Sequence, residues 1–192
     1  MPAAGVGPRA ESVIDAGAMG ANDPTSRLVF RPSPSHGYLW LIAVALAVLA
    51  PTLAIVLPGA RGPSLITLIA IAPSILIGLP FLALAALFPT MRYELDADAL
   101  TLRYGPVLRY RIPYSEIQGM QRRDLSVPVW SSMRLPGLAL FVVPYNDVGP
   151  VRMCATRAAK DILLIRTTRA TYGLTPAEER LFLDAIMARL PP

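Results

Sequence analysis

Two long apolar segments dominate the hydrophobic pattern of the chain and predict a membrane hairpin. Residues 37–58 and 63–88 contain no acidic or basic side chain. As helices they would extend about 33 and 39 Å, more than the roughly 30 Å hydrocarbon core of a bilayer. Only residues 59–62 separate them. We therefore predict antiparallel transmembrane helices at 37–58 and 63–89, with both ends of the chain on one side of the membrane.

Each apolar segment also carries small residues at spacings of three and four, which share one face of a helix. They are Ala43, Ala47, Ala50 and Ala54 in the first segment, and Thr67, Ala70, Ser74 and Gly78 in the second. Small residues let helices approach closely in lipid, where the hydrophobic effect does not drive their association. An alanine-rich composition produces such stripes by chance as well, so both interpretations stay open.

Beyond residue 89 the pattern changes to the alternation of apolar and polar positions that is typical of half-buried strands. Antiparallel strands are predicted at 91–95, 100–104, 108–112, 117–123, 138–143, 151–155, 161–166 and 169–174. Arg103, Arg109 and Arg111 occupy polar positions of this alternation. The outer face of the first strands is therefore expected to carry arginine.

The end of the chain predicts one amphipathic helix. Thr175 is the expected N-cap, Pro176 the first helical residue, and Glu178 lies three positions after the cap. This spacing is a capping box with the favoured proline. The apolar residues that follow fall on one helical face, so the helix is expected to close the β-structure.

Several segments of residues 91–190 resemble the bacterial pleckstrin-homology (PH) domains that follow transmembrane hairpins. They are Tyr93-Glu94-Leu95, Asp98-Ala99-Leu100-Thr101-Leu102, Ile112-Pro113-Tyr114-Ser115-Glu116-Ile117, Val151-Arg152-Met153-Cys154-Ala155-Thr156, Asp161-Ile162-Leu163-Leu164-Ile165 and Tyr172-Gly173-Leu174-Thr175-Pro176. The resemblance covers about half of the chain and rests on strand patterns. It implies a module for binding or assembly, without catalytic residues and without a functional site to carry over.

The expected architecture is an α+β membrane protein with three parts. Residues 1–36 are rich in Gly, Ala, Pro and Ser and are predicted to be a disordered tail. Residues 37–89 form the transmembrane hairpin. Residues 90–192 form a PH-like antiparallel split barrel capped by the C-terminal helix.

Composition and charge narrow the function classes. The chain has 18 basic and 13 acidic residues and a net charge of +5, without a clustered basic segment. A nucleic-acid partner is not expected, because binding nucleic acid needs such a cluster. One cysteine (Cys154) and one histidine (His36) lie far apart, so neither a metal site nor a catalytic dyad is predicted. We expect no enzyme and no cofactor.

The leading hypothesis is therefore an interaction or assembly module at the cytoplasmic face of the cell membrane. Basic residues flank the spans while the connecting turn has only Arg61, which predicts cytoplasmic termini. The expected partners are the bilayer, a second copy of the chain or another membrane protein. The alternative is recognition of anionic phospholipid headgroups by Arg103, Arg109 and Arg111, with Trp130 and Met133 as membrane-interface candidates.

Overall fold

The computed structural model describes residues 27–56, 65–126 and 134–191. The described chain is α+β. Its helices are α1 (Gly37–Val56), α2 (Leu65–Leu87) and α3 (Glu179–Met187). Its strands are β1 (Leu28–Phe30), β2 (Arg92–Leu95), β3 (Ala99–Tyr104), β4 (Leu108–Pro113), β5 (Ile117–Arg123), β6 (Arg134–Leu135), β7 (Leu138–Tyr145), β8 (Gly149–Ala155), β9 (Ile162–Thr167) and β10 (Thr171–Leu174). Short 3-10 turns lie at Phe88–Thr90 and Tyr114–Glu116.

The strands form two sheets with a shared apolar core. The first sheet has the order β1-β2-β3-β4 and is antiparallel throughout. The second has the order β5-β9-β10-β8-β7-β6. Pairing within the described residues leaves the two sheets separate rather than joined into a closed barrel. Side chains from both sheets, including Tyr93, Leu102 and Ile165, meet in one buried cluster.

The prediction that all strands pair antiparallel is wrong for one strand pair. β8 and β10 run parallel, with Arg152 opposite Tyr172. After β8 the chain passes over one strand position before it enters β9. The hairpin of β9 and β10 then fills that position. β10 consequently runs in the same direction as β8, which alternation within a strand does not reveal.

The segment before α1 belongs to the folded domain. β1 pairs with β2, and Phe30 stacks edge-on against Phe182 of α3 with ring centroids 5.2 Å apart. The prediction of a disordered tail through residue 36 is wrong for this segment. The reason is that its hydrogen-bond partners lie more than sixty positions away. The tail prediction for residues 1–26 lies outside the described residues.

α1 and α2 are both long and apolar enough to cross a membrane. The qualifying stretches are Gly37–Ala54 and Ile71–Thr90, with mean hydropathies of 2.0 and 2.3. The segments that flank the pair are hydrogen-bonded to each other as β1 and β2. The chain therefore enters and leaves the helical hairpin on the same side.

Gly78 of α2 and the small residues of α1 have different surroundings. Gly78 of α2 is buried, and a Cβ added to it would lie 2.6 Å from Cγ of Leu49 on α1. Small size at this position therefore allows the two helices to pack against each other. The four alanines of the α1 stripe are instead exposed. They lie on a face that α2 does not cover.

The base of the helical hairpin is part of the core of the domain. Leu41 of α1 and Leu84 of α2 belong to the main buried cluster together with Tyr104 of β3. The Tyr104 hydroxyl donates a hydrogen bond of 2.5 Å to the Leu84 carbonyl oxygen. Before α1, the Ser35 hydroxyl donates to the Gly137 carbonyl oxygen at 2.6 Å. Both ends of the hairpin are therefore fixed to the β-structure without a flexible linker.

The C-terminal helix begins later than the capping box predicts. α3 starts at Glu179, and its N-cap is Glu178, without a capping hydrogen bond from a side chain. Thr175 is buried at the end of β10, where its hydroxyl accepts a hydrogen bond of 2.9 Å from the Thr156 backbone N–H. That contact keeps the Thr175 side chain from capping a helix. The predicted amphipathic helix is nevertheless present, with Phe182 and Ile186 buried.

Candidate functional site

Polar side chains on the outer face of the first sheet form two rows across the strands. In the first row, Arg92 pairs in register with Arg103, and Arg103 pairs with Arg109. In the second row, Glu94 pairs with Thr101, and Thr101 pairs with Arg111. Side chains alternate between the two faces of a strand, so the intervening Tyr93 and Leu102 point to the core. We call the first row the arginine row.

Glu94 lies at the centre of this face and forms ion pairs with three arginines. Its carboxylate is 2.6 Å from Nε of Arg92, 3.6 Å from Nη1 of Arg103 and 2.5 Å from Nη2 of Arg27. Only 3% of the Glu94 side chain is exposed. Arg27 also contacts Asp96, with 3.4 Å between Nε and Oδ1. The N-terminal segment thus contributes a cation to the surface of the sheet.

The pKa of Glu94 reflects two opposing effects. Burial raises the pKa of this carboxyl group, because it removes water from the charged form. The hydrogen bond from Arg27 and the charges of Arg27, Arg92 and Arg103 outweigh burial and hold the pKa below its ordinary value. Glu94 is therefore a fixed anion at neutral pH.

The structure divides the three arginines that were predicted as a headgroup site. Arg103 and Arg109 are direct neighbours in the arginine row, whereas Arg111 lies in the second row and forms an ion pair with Asp98. Arg109 is exposed and has no acidic partner among the described residues. Of these three arginines, Arg109 alone has a guanidinium group without an ion-pair partner in the described chain.

The arginine row lies beside the end of α2. The turn between β3 and β4 contains Gly105 at φ +50°, and a Cβ there would lie 2.9 Å from Leu87 and 3.3 Å from the Thr90 hydroxyl. Arg103 precedes this turn by two residues, and Arg92 follows Thr90 by two. The row is therefore at the end of the sheet that is nearest to the apolar stretch Ile71–Thr90.

Trp130 and Met133 lie outside the described residues, so their role as interface candidates stays a prediction. Arg122 of β5 forms ion pairs with Asp161, which precedes β9, and with Glu179 of α3. Cys154 is fully buried, and burial raises the pKa of its thiol to about 12. The described residues contain no group of three or more metal-ligating His, Cys, Asp or Glu side chains.

Sequence reasoning missed Arg27, Arg92, Glu94 and Thr101 as parts of this surface. Alternation alone places Arg92 and Glu94 on the outer face of β2, and this signal was available. The register that aligns Arg92 with Arg103 and Arg109 cannot be read from the sequence, because it depends on the geometry of the turns. Arg27 could not be found from sequence spacing, since it is 67 positions from Glu94.

A family model described as a bacterial PH domain matches residues 91–190. The chain belongs to this family. The match starts at the end of α2 and contains the arginine row, Glu94 and α3, but it leaves out β1 and the helical hairpin. Comparisons with curated proteins and with solved structures give no match. The PH domain of this chain thus includes a strand, β1, that lies outside the matched region.

Proposed function

We propose that this protein is a membrane-anchored interaction and assembly module, whose PH domain is held at the cytoplasmic face of the membrane and which carries out no catalysis. The observation that supports this most strongly is the docked base of the hairpin. Leu41 and Leu84 of the apolar helices share the core of the domain. A domain fixed in this way would present one defined surface to the membrane plane.

The orientation is proposed from charge. Arg27, Arg31 and Arg92 flank the two helices, whereas Arg61 is the only basic residue between them. The positive-inside rule then favours a cytoplasmic location for both termini and for the PH domain. We also propose that the two sheets form a PH-like split barrel with α3 covering one open end.

The partner that we propose for assembly is a second copy of the chain or another membrane protein. The exposed alanine stripe of α1 supports this, because Ala43, Ala47, Ala50 and Ala54 leave room for a neighbouring helix. Light scattering of the full chain in mild detergent should give a defined oligomer. Ala47→Leu should weaken that association about tenfold, equivalent to roughly 1.4 kcal/mol.

The matched control is Ala83→Leu, which makes the same change at an exposed position of α2. We expect it to leave the oligomer unchanged. A wild-type chain that is strictly monomeric and carries no partner would contradict the assembly proposal. Equal effects of the two substitutions would show that the α1 stripe is not the contact.

A second candidate function is recognition of anionic phospholipid headgroups by the face of the first sheet that carries Arg103, Arg109 and Arg111. Arg109, which has no acidic partner among the described residues, favours it. Guanidinium groups suit phosphate oxygens in charge and in geometry. The expected behaviour is tighter binding of anionic than of zwitterionic lipid, with the difference reduced at high salt.

A further inference from the structure

We propose that Arg92, Arg103 and Arg109 together bind the headgroup phosphate of an anionic phospholipid, that Glu94 positions the site from beneath, and that Arg111 is not part of it. The inference rests on the proposed lipid recognition and gives it a specific site. It differs from the sequence-based set by including Arg92 and excluding Arg111.

The register of the first sheet brings the three arginines together. They are successive cross-strand neighbours on β2, β3 and β4. Neighbouring strands lie about 4.8 Å apart, so the outer two arginines are separated by about 10 Å at the backbone. Their side chains can therefore converge on one phosphate group from three strands.

Glu94 fixes two of these arginines and leaves their remaining donors available. It contacts Arg92 through Nε, and this is the only partner of Arg92 among the described residues. The two terminal nitrogens of Arg92 therefore remain free to donate to a ligand. Glu94 contacts Arg103 through Nη1 only. Glu94 is thus a positioning residue, and the phosphate is bound by donors that it does not occupy.

The surface carries more positive than negative charge, which favours the binding of an anion. Arg27 and the arginine row supply four cations, and the acidic groups that they contact are Glu94 and Asp96. Burying Glu94 next to three guanidinium groups neutralises part of this charge, but Arg109 remains without an acidic partner in the described chain. Four cations against two carboxylates leave an excess of two positive charges, and the singly charged phosphodiester of a phospholipid would reduce that excess to one.

The position of the row favours a lipid over a soluble phosphate compound. Arg92 is two residues beyond Thr90, the last residue of the apolar stretch Ile71–Thr90. Because Leu84 near the end of that stretch is docked in the core of the domain, the row lies next to the end of the predicted span and not within it. Headgroup phosphates lie just outside the hydrocarbon core, and arginine side chains are long enough to extend toward them.

The test is a titration of the full chain in non-ionic detergent with dioctanoyl phosphatidylglycerol, dioctanoyl phosphatidylcholine and glycerol 3-phosphate. The wild type should bind phosphatidylglycerol most tightly. Arg109→Ala should raise the Kd for phosphatidylglycerol about tenfold, because it removes charge-assisted hydrogen bonds. Arg111→Ala should change it by less than about twofold. Both variants remove one exposed arginine from β4, so their overall charge is identical.

The outcomes separate the site from the function on which it rests. If the two variants lose affinity equally while the preference for phosphatidylglycerol persists, the arginine row is overturned and overall charge explains the binding. If glycerol 3-phosphate binds as tightly as phosphatidylglycerol, the lipid is overturned as the source of the phosphate. If the wild type has no preference for anionic lipid, the proposed lipid recognition itself fails.

Discussion

Replacing Phe182 with alanine should lower the free energy of unfolding by about 3–5 kcal/mol, the usual cost of removing a buried aromatic ring. Phe182 is fully buried. Its ring lies edge-on to Phe30 of β1 at 5.2 Å and near Tyr93 of β2 at 6.0 Å. The single side chain thus joins α3 to the N-terminal strand and to the first sheet. Removing the ring should therefore weaken the packing of α3 against β1 and against β2.

Thermal unfolding of the full chain in detergent, followed by circular dichroism, measures this effect. For a domain of about 100 residues the expected decrease in Tm is more than about 10 °C. Leu181→Ala is the control, because Leu181 is the preceding residue of the same helix and is 57% exposed. It should change Tm by no more than about 3 °C. A similar decrease in both variants would contradict the role assigned to Phe182.

Deleting residues 1–31 should destabilise the PH domain by about 3 kcal/mol or more, although the family match begins only at residue 91. The deletion removes β1 and leaves the edge of β2 without its partner strand. It also removes Arg27 from the nearly buried Glu94 and Phe30 from Phe182. An unpaired strand edge promotes association, so the truncated chain should also aggregate.

The matched control is deletion of residues 1–26, which ends just before Arg27. This chain keeps every described contact of β1 and should unfold at the temperature of the wild type. Thermal unfolding and light scattering of the two truncated chains provide the comparison. If both unfold at the same temperature, β1 is not an integral strand of the domain.

The sequence predicts the elements of this fold better than their connections. The helical hairpin follows from two uncharged apolar segments, and α1 and α2 occur within them. Period-two alternation of apolar and polar residues predicts β3 and β4, although only β4 has a single buried face, since Ala99 and Thr101 on the outer face of β3 are buried as well. β1 was missed since a three-residue strand has too few positions to show any period. Its stability comes from pairing with β2, which is distant in the sequence.

The limits of prediction from the sequence are clearest for the candidate site. The sequence places Arg103 and Arg109 on a polar face, and the structure makes them neighbours. Arg111 shares that face but lies in the adjacent row, where Asp98 engages it. The spacing of two residues along β4 cannot distinguish these rows. Thr175 shows the same limit, because its long-range hydrogen bond with Thr156 overrides a local capping signal.

The membrane orientation of the PH domain can be measured with a thiol reagent that does not cross membranes. Val29→Cys and Val107→Cys place exposed thiols before α1 and after α2, and Arg61→Cys places one between the helices. The native Cys154 should give little background, because it is buried and its pKa is raised to about 12. We predict that in intact cells only the Arg61→Cys chain is labelled, and that the other two are labelled after the membrane is permeabilised. Labelling of the cysteine at position 29 or 107 in intact cells would contradict a PH domain held at the cytoplasmic face of the membrane.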